Sequence, residues 1–311
     1  MSMPVIIGGS AHPELTRSIC EHLDVRQSRI ESHPFSDGER FVKINENVRG
    51  RSVFVIQPTC CPANENIMEL LLIIDALKRA STKLIVAVIP YFGYSRQDRK
   101  EQGRVPISAK LVANLLTTAG ADRIIAIDLH VGQIQGFFDI PVDHLVAIKH
   151  LSEHIKKMNL ENTVVLSPDI GNVKRARAYA ERLNLPLAIV DKRRPNPNES
   201  EVMNVIGDID GRNVIIFDDM IDTAGTLTRG IDAIVNRGAR DIYACCTHAV
   251  FSGPARQRIQ DSPVKRVIAT DTIPQKNGEG LTKLEIVSIA PLLADAIMRV
   301  HNDLSVSALF D

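Results

Sequence analysis

Two neighbouring carboxylates, Asp218 and Asp219, stand where an apolar run gives way to a loop of small and hydroxyl residues, in VIIFDDMIDTAGT (Val214–Thr226). Val214–Phe217 reads as a buried strand, and the apolar periodicity from Leu227 reads as a helix. Asp222, Thr223, Ala224, Gly225 and Thr226 can turn consecutive backbone N–H groups toward one point, and a helix N-terminus adds partial positive charge there. That chemistry takes a phosphate. Asp218 and Asp219 would repel one, but they suit neutral hydroxyls, which donate hydrogen bonds to carboxylates. A phosphate at one end and a vicinal diol at the other describe a ribose 5-phosphate unit. An ordinary strand, loop and helix with acidic loop residues is the plainer alternative.

Other segments could do chemistry at strand ends. YFGYSRQDRK brings Arg96, Gln97, Asp98 and Arg99 to the mouth of the apolar run LIVAVIPYF. Arginine forks match phosphate oxygens, and Gln97 with Asp98 could read an adenine edge; a solvated charged loop fits the same composition. In RIIAIDLHVGQ, His130 follows a strand-terminal aspartate, which suits a metal, a phosphate or a structural hydrogen bond. Asp169, in SPDIGNVKRAR, falls at the mouth of another strand, and Asp169 and His130 are of the right types for direct or water-mediated magnesium contacts. FSDGERFVKI places Phe35, Asp37 and Glu39 around a turn, either packed or presented to a base. DKRRPNPNE carries Lys192 and Arg194 on a basic segment whose prolines forbid a continuous helix.

The elements that must position these residues are written twice. VIIGGSAHPELTRSICEHL (Val5–Leu23) is echoed by VVLSPDIGNVKRARAYAERL (Val164–Leu183), and RSVFVIQPT (Arg51–Thr59) by RNVIIFDDM (Arg212–Met220). A helix containing Ile-Asp-Ala and a further apolar strand follow in both halves. Alternating strands and helices call for a mainly parallel sheet covered on both faces. The expectation is an α/β protein of two tandem domains, residues 1–146 and 147–299, with the tail 300–311 packed back on the first. The copies differ in chemistry: where the second has Asp218–Asp219, the first has Gln57–Pro58 and lacks the DTAGT loop. The ribose-phosphate site is expected in the second domain alone.

Composition sets the outer bounds. The 311 residues carry 37 basic and 37 acidic side chains, a balance that argues against bulk binding of nucleic acid or anionic membrane. No apolar run is long enough for a membrane span and no signal-peptide pattern opens the chain, so a cytoplasmic location is expected. The five cysteines lack metal-ligand spacing and read as reduced thiols in or near strands.

Taken together, FSDGER, ANENIMELLLIIDALKRAS, PYFGYSRQDRK, DLHVGQIQGFFDIPVDHL, SPDIGNVKRAR, DKRRPNP, VIIFDDMIDTAGT, THAVFSGPA and SVSALF resemble the ribose-phosphate diphosphokinases of the class I bacterial form, built on the phosphoribosyltransferase fold. The resemblance spans nearly the whole chain. It implies transfer of the diphosphoryl group of ATP to the anomeric hydroxyl of ribose 5-phosphate, with Mg2+ as cofactor. It implies that Asp218 and Asp219 hold the ribose diol and Asp222–Thr226 the 5-phosphate. Arg96, Gln97, Asp98 and Arg99 would bind ATP, with Phe35, Asp37 and Glu39 of a neighbouring subunit around the adenine. His130 and Asp169 would work with magnesium, and Lys192 and Arg194 would close over the site as the catalytic pair. A hexamer built from dimers, regulated by phosphate and ADP between subunits, is implied as well. The chain departs from the pattern at Gly171-Asn172, where a Gly-Gly pair is usual, and at Ser95, where alanine is usual. The rivals are a nucleobase phosphoribosyltransferase, which would be a single domain with a base-recognising hood, and a non-catalytic regulator on the same fold. No basic helix-turn-helix segment supports a repressor.

Overall fold

The computed structural model of the protein describes residues 3–193, 202–275 and 280–309. Contacts divide the chain into two compact units: Met1–Val146 with Thr272–Pro274 and Ile289–Asp311, and Ala147–Asp271 with Gln275–Ser288.

The first unit runs β1 (Val5–Gly8), α1 (Pro13–Leu23), β2 (Ile30–Pro34), β3 (Arg40–Ile44), β4 (Ser52–Ile56), α2 (Ala63–Arg79), β5 (Leu84–Ile89), α3 (Ser108–Ala119), β6 (Arg123–Ile127) and β7 (Val142–Leu145). Five strands form a parallel sheet in the order β1-β4-β5-β6-β7. Their sequences, such as SVFVI and LIVAVI, are continuously apolar because helices cover both faces. Strands β2 and β3 pair antiparallel as a separate hairpin. Its turn needs Gly38, whose φ of +90° an L side chain rarely adopts. Helix α1 begins with Pro13, whose missing N–H costs nothing there, and His12 Nδ1 accepts from the Leu15 N–H at 3.2 Å.

The second unit runs α4 (Ile148–Lys157), β8 (Thr163–Ser167), α5 (Val173–Leu183), β9 (Leu187–Arg193), β10 (Val202–Ile206), β11 (Asn213–Ile221), α6 (Gly225–Val235), β12 (Ile242–Ala249), α7 (Ala255–Asp261), β13 (Arg266–Thr270) and β14 (Leu284–Val287). Its sheet has the order β10-β9-β8-β11-β12-β13-β14, with β10 alone antiparallel to its neighbour. The run β8-β11-β12-β13-β14 repeats β1-β4-β5-β6-β7, so the duplication seen in the sequence is a duplication of topology.

Two expectations are corrected. Residues 290–299 were placed with the second domain, but α8 (Ala290–His301) belongs to the first unit as a whole, where it packs on α1. Its apolar face, with Leu293, Ala296 and Ile297 fully buried, needs a partner along its entire length, not only beyond residue 300. Nor does β11 end at its acids. It continues through Asp218 and Asp219 to Ile221, because β12 keeps pairing alongside, Met220 with His248 and Ile221 with Ala249. The matching β4 stops at Ile56. All five cysteines are free thiols, four of them buried. Among the described residues no helix is long and apolar enough to cross a membrane.

Candidate active site

Strands β8 and β11 are adjacent and parallel, with Leu166 opposite Ile216. Their carboxyl ends therefore bring Asp169 and Asp218 to one edge, the usual ligand crevice of a parallel sheet. Asp169 is set by the turn into α5: its Oδ1 accepts the Asn172 N–H at 2.9 Å, and its carbonyl accepts the Ser167 hydroxyl at 2.7 Å. Asn172 Nδ2 reaches across to Asp218 Oδ1 at 3.2 Å, and the Asp219 N–H donates to the same oxygen at 2.8 Å. Arg175, one helical turn into α5, pairs with Asp219 Oδ1 at 3.1 Å. Beneath them Tyr179 of α5 stacks on Phe217, centroids 3.8 Å apart and planes 16° from parallel, which pins the helix to the strand that carries the acids.

The electrostatics follow from crowding. Burial, and then the neighbouring Asp219 carboxyl, push Asp218 well above the ordinary carboxylate value; Arg175 only partly offsets them. The pair therefore resists being doubly ionised. Asp219 is only 4% exposed and pairs with Arg175. Asp218 is the more accessible of the two.

The turn after β11 leads directly into a helix N-terminus. Ala224 stands at the N-cap of α6 in the left-handed region, φ +58°, and has no side chain with which to cap the helix. Gly225 and Thr226 form the first turn of α6 rather than an open loop. Asp222 accepts the Ser252 hydroxyl. Arg258 of α7 donates to the Thr223 carbonyl at 3.0 Å, and a Cβ on Gly225 would lie 3.2 Å from that guanidinium. A cation thus stands beside a helix N-terminus, and both favour phosphate. Arg175, Ser252 and Arg258 were not singled out from the sequence. Arg175 and Ser252 lie within quoted motifs, but Arg258 is 35 residues from its partner and carries no local signal.

In the first unit the corresponding crevice is occupied by its own side chains. Gln57 Oε1 accepts the Ala11 N–H at 3.1 Å, and Gln57 Nε2 donates to Glu69 at 2.8 Å. Ser10 donates to Glu69 through its N–H and its hydroxyl, Ser32 donates to the other oxygen, and Arg40 lies 3.2 Å away. Burial pushes Glu69 up, but these hydrogen bonds and Arg40 outweigh it and hold the carboxyl below its usual range.

The remaining candidates are distributed as follows. Arg96 and Arg99 are exposed on the turn beyond β5, and Asp98 is half-buried. Gln97 is exposed, and its Oε1 accepts the Ser108 hydroxyl and its carbonyl the Ala109 N–H, so it also anchors the start of α3. Phe35 is 48% exposed at the hairpin tip, edge-on to His33 and Phe41, with Asp37 and Glu39 exposed beside it and the Glu39 N–H bonded to Asp37. His130 is half-buried in the loop after β6, which His144 steadies by accepting the Leu129 N–H at 2.9 Å. His130 belongs to the first unit and Asp169 to the second. Lys192 lies in β9 with its backbone opposite Met203. The Lys192 side chain and the whole of Arg194 lie outside the described residues.

Comparison with known proteins places the chain. Residues 4–120 match the family model of the N-terminal domain of ribose phosphate pyrophosphokinase, and residues 194–311 match that of the phosphoribosyl synthetase-associated domain. A ribose-phosphate pyrophosphokinase of Caldanaerobacter subterraneus subsp. tengcongensis is 54% identical over 98% of this chain and 97% of its own length. That of Fusobacterium nucleatum subsp. nucleatum is 52% identical over 98% of both. The crystal structure of phosphoribosylpyrophosphate synthetase from Mycobacterium smegmatis superposes with a TM-score of 0.91 at 44% identity, covering 97% of this chain and 100% of that one. On its repeated α/β units and its likeness to these relatives along nearly the full length, the chain belongs to the ribose-phosphate pyrophosphokinase family of transferases.

Proposed function

We propose that the second unit binds ribose 5-phosphate, the 5-phosphate on the α6 N-terminus at Asp222–Thr226 and the vicinal diol on Asp218 and Asp219, and that the chain transfers the diphosphoryl group of ATP to it. The observation that carries this reading is the adjacency, on one strand and the helix after it, of an anion-binding helix start flanked by Arg258 and two acids unsuited to phosphate. The anomeric oxygen attacks the β-phosphorus of ATP, the bond from that phosphorus to the bridging α–β oxygen breaks, and AMP leaves with the electron pair. The anomeric proton passes to solvent or to a weak acceptor. Positioning and neutralisation of charge supply most of the rate.

In this reading Arg96, Gln97, Asp98 and Arg99 belong to the ATP site, with Arg96 and Arg99 engaging the phosphates. Lys192 and Arg194 stabilise charge on the transferred group. A second copy of the chain brings Phe35, Asp37 and Glu39 to the adenine, within a homo-oligomer working in the cytoplasm. Asp169 and Asp218 offer hard oxygen donors at one sheet edge, the set a magnesium ion prefers, and His130 is proposed to act with them. Among the described residues no cluster of three or more acidic, His or Cys groups is ready-made for a metal, which fits an ion held by one or two carboxylates, water and substrate phosphates. Such an ion would neutralise charge on the phosphate oxygens.

The test is a product assay. The purified chain with ATP, magnesium and ribose 5-phosphate should form AMP in step with consumption of the sugar phosphate. AMP released at the same rate without the sugar, or none at all, would defeat the reading.

A further inference from the structure

Asparagine is among the best helix N-caps, because its side-chain oxygen can accept an N–H from the first turn. Asn172 occupies the N-cap of α5 and makes no such bond. Its amide is used elsewhere: Nδ2 donates to Asp218 Oδ1 at 3.2 Å, while its backbone N–H donates to Asp169 Oδ1 at 2.9 Å. Its own Oδ1 faces Arg175 Nη1 at 3.5 Å, and that guanidinium nitrogen is also the one paired with Asp219. One neutral residue therefore links two carboxylates directly and approaches the cation that holds the third.

We propose that Asn172 is a positioning residue of the pentose site, holding the Asp218 carboxyl in a fixed plane beside Asp169 so that the Asp218–Asp219 pair is presented to the vicinal diol. Two donors, the Asp219 N–H and Asn172 Nδ2, converge on Oδ1, and the Asp218 carboxyl also shares a side-chain hydrogen bond with Asp219. The amide suits this task better than a cation would, because it orients the acid without forming a competing ion pair. The inference rests on the ribose 5-phosphate reading above, and it makes a narrower claim. The diol takes no part in the bond changes at the anomeric centre, so its contacts are equally strong before and during reaction. Loss of such an interaction raises KM rather than lowering kcat.

The experiment compares steady-state kinetics of the full chain with those of Asn172→Ala and Asn172→Asp, alongside calorimetric titration with ribose 5-phosphate alone. Asn172→Asp keeps the size of the side chain but loses the donor and adds a charge beside Asp218, so it remains informative if Asn172→Ala folds poorly. Asn172→Ala should raise KM for ribose 5-phosphate by roughly tenfold, the worth of one hydrogen bond to a charged group. KM for ATP should change little, and kcat should fall by less than KM rises. Asn172→Asp should raise it further. A folded variant whose KM for ribose 5-phosphate stays within about twofold of the parent, or whose kcat carries the whole loss, overturns the role of Asn172 and leaves the proposed reaction standing. A parent chain that neither binds ribose 5-phosphate nor forms AMP overturns both.

Discussion

Asp218 and Asp219 sit one peptide apart within a buried strand, and that closeness has a thermodynamic consequence. Asp218 is displaced upward from its ordinary value of 3.8 by burial and then by Asp219. The native state therefore holds a proton that the unfolded chain gives up, and stability falls as pH rises from about 3.8 through the higher folded value. Asp218→Asn removes this penalty. The ligand-free variant should melt a few degrees above the parent at neutral pH, and the gain should vanish below the unfolded carboxylate value, about pH 3.9. The same substitution should weaken ribose 5-phosphate binding at least tenfold, since a charge-assisted hydrogen bond is worth about 1.5–3 kcal/mol. Melting curves across pH, with and without the sugar phosphate, check both; equal stability of parent and variant at pH 7 would count against the crowded pair.

Equivalent elements of the two units have diverged by filling in one unit what is open in the other. At the end of β1 and β4 the first unit has Ser10 and Gln57 tied to Glu69, a fully buried carboxylate. A Cβ on Gly9 would lie 2.3 Å from Gln57 Oε1, so little room remains there. Glu69 is held below its ordinary value of 4.5, so its contribution to stability is complete above that pH and is lost as pH falls through the lower folded value. Glu69→Gln should therefore cost about 1.5–3 kcal/mol at pH 7, and the difference from the parent should shrink below pH 4.5, as measured by denaturant unfolding. A cost independent of pH would assign the effect to packing instead.

At the scale of the whole molecule, the last helix completes the first unit. Leu292, Leu293 and Ile297 of α8 are buried, and α8 packs against α1. Burial of three such side chains stabilises by about 5–8 kcal/mol, comparable with the whole stability of an ordinary domain. A chain ending at Ser288 should thus lose the cooperative unfolding transition of the first unit in calorimetry; an unchanged transition would show that the helix is dispensable. The sequence by itself determined the class of fold, the duplication and the strand, small-residue turn and helix around Asp218 and Asp219. Each rests on local pattern: continuous apolar runs for strands buried on both faces, small residues before a helical period, and two copies of one order. It also determined that only the second copy has paired acids, because residue type is visible without coordinates. It left undetermined where β11 ends, because that depends on β12 continuing to pair beside it. It did not show that Asn172 and Arg175 contact the acids, that Arg258 reaches the Thr223 carbonyl, or that α8 belongs to the first unit. Those were decided by the tertiary structure alone, since each depends on groups that the chain separates and only packing brings within hydrogen-bond or van der Waals range.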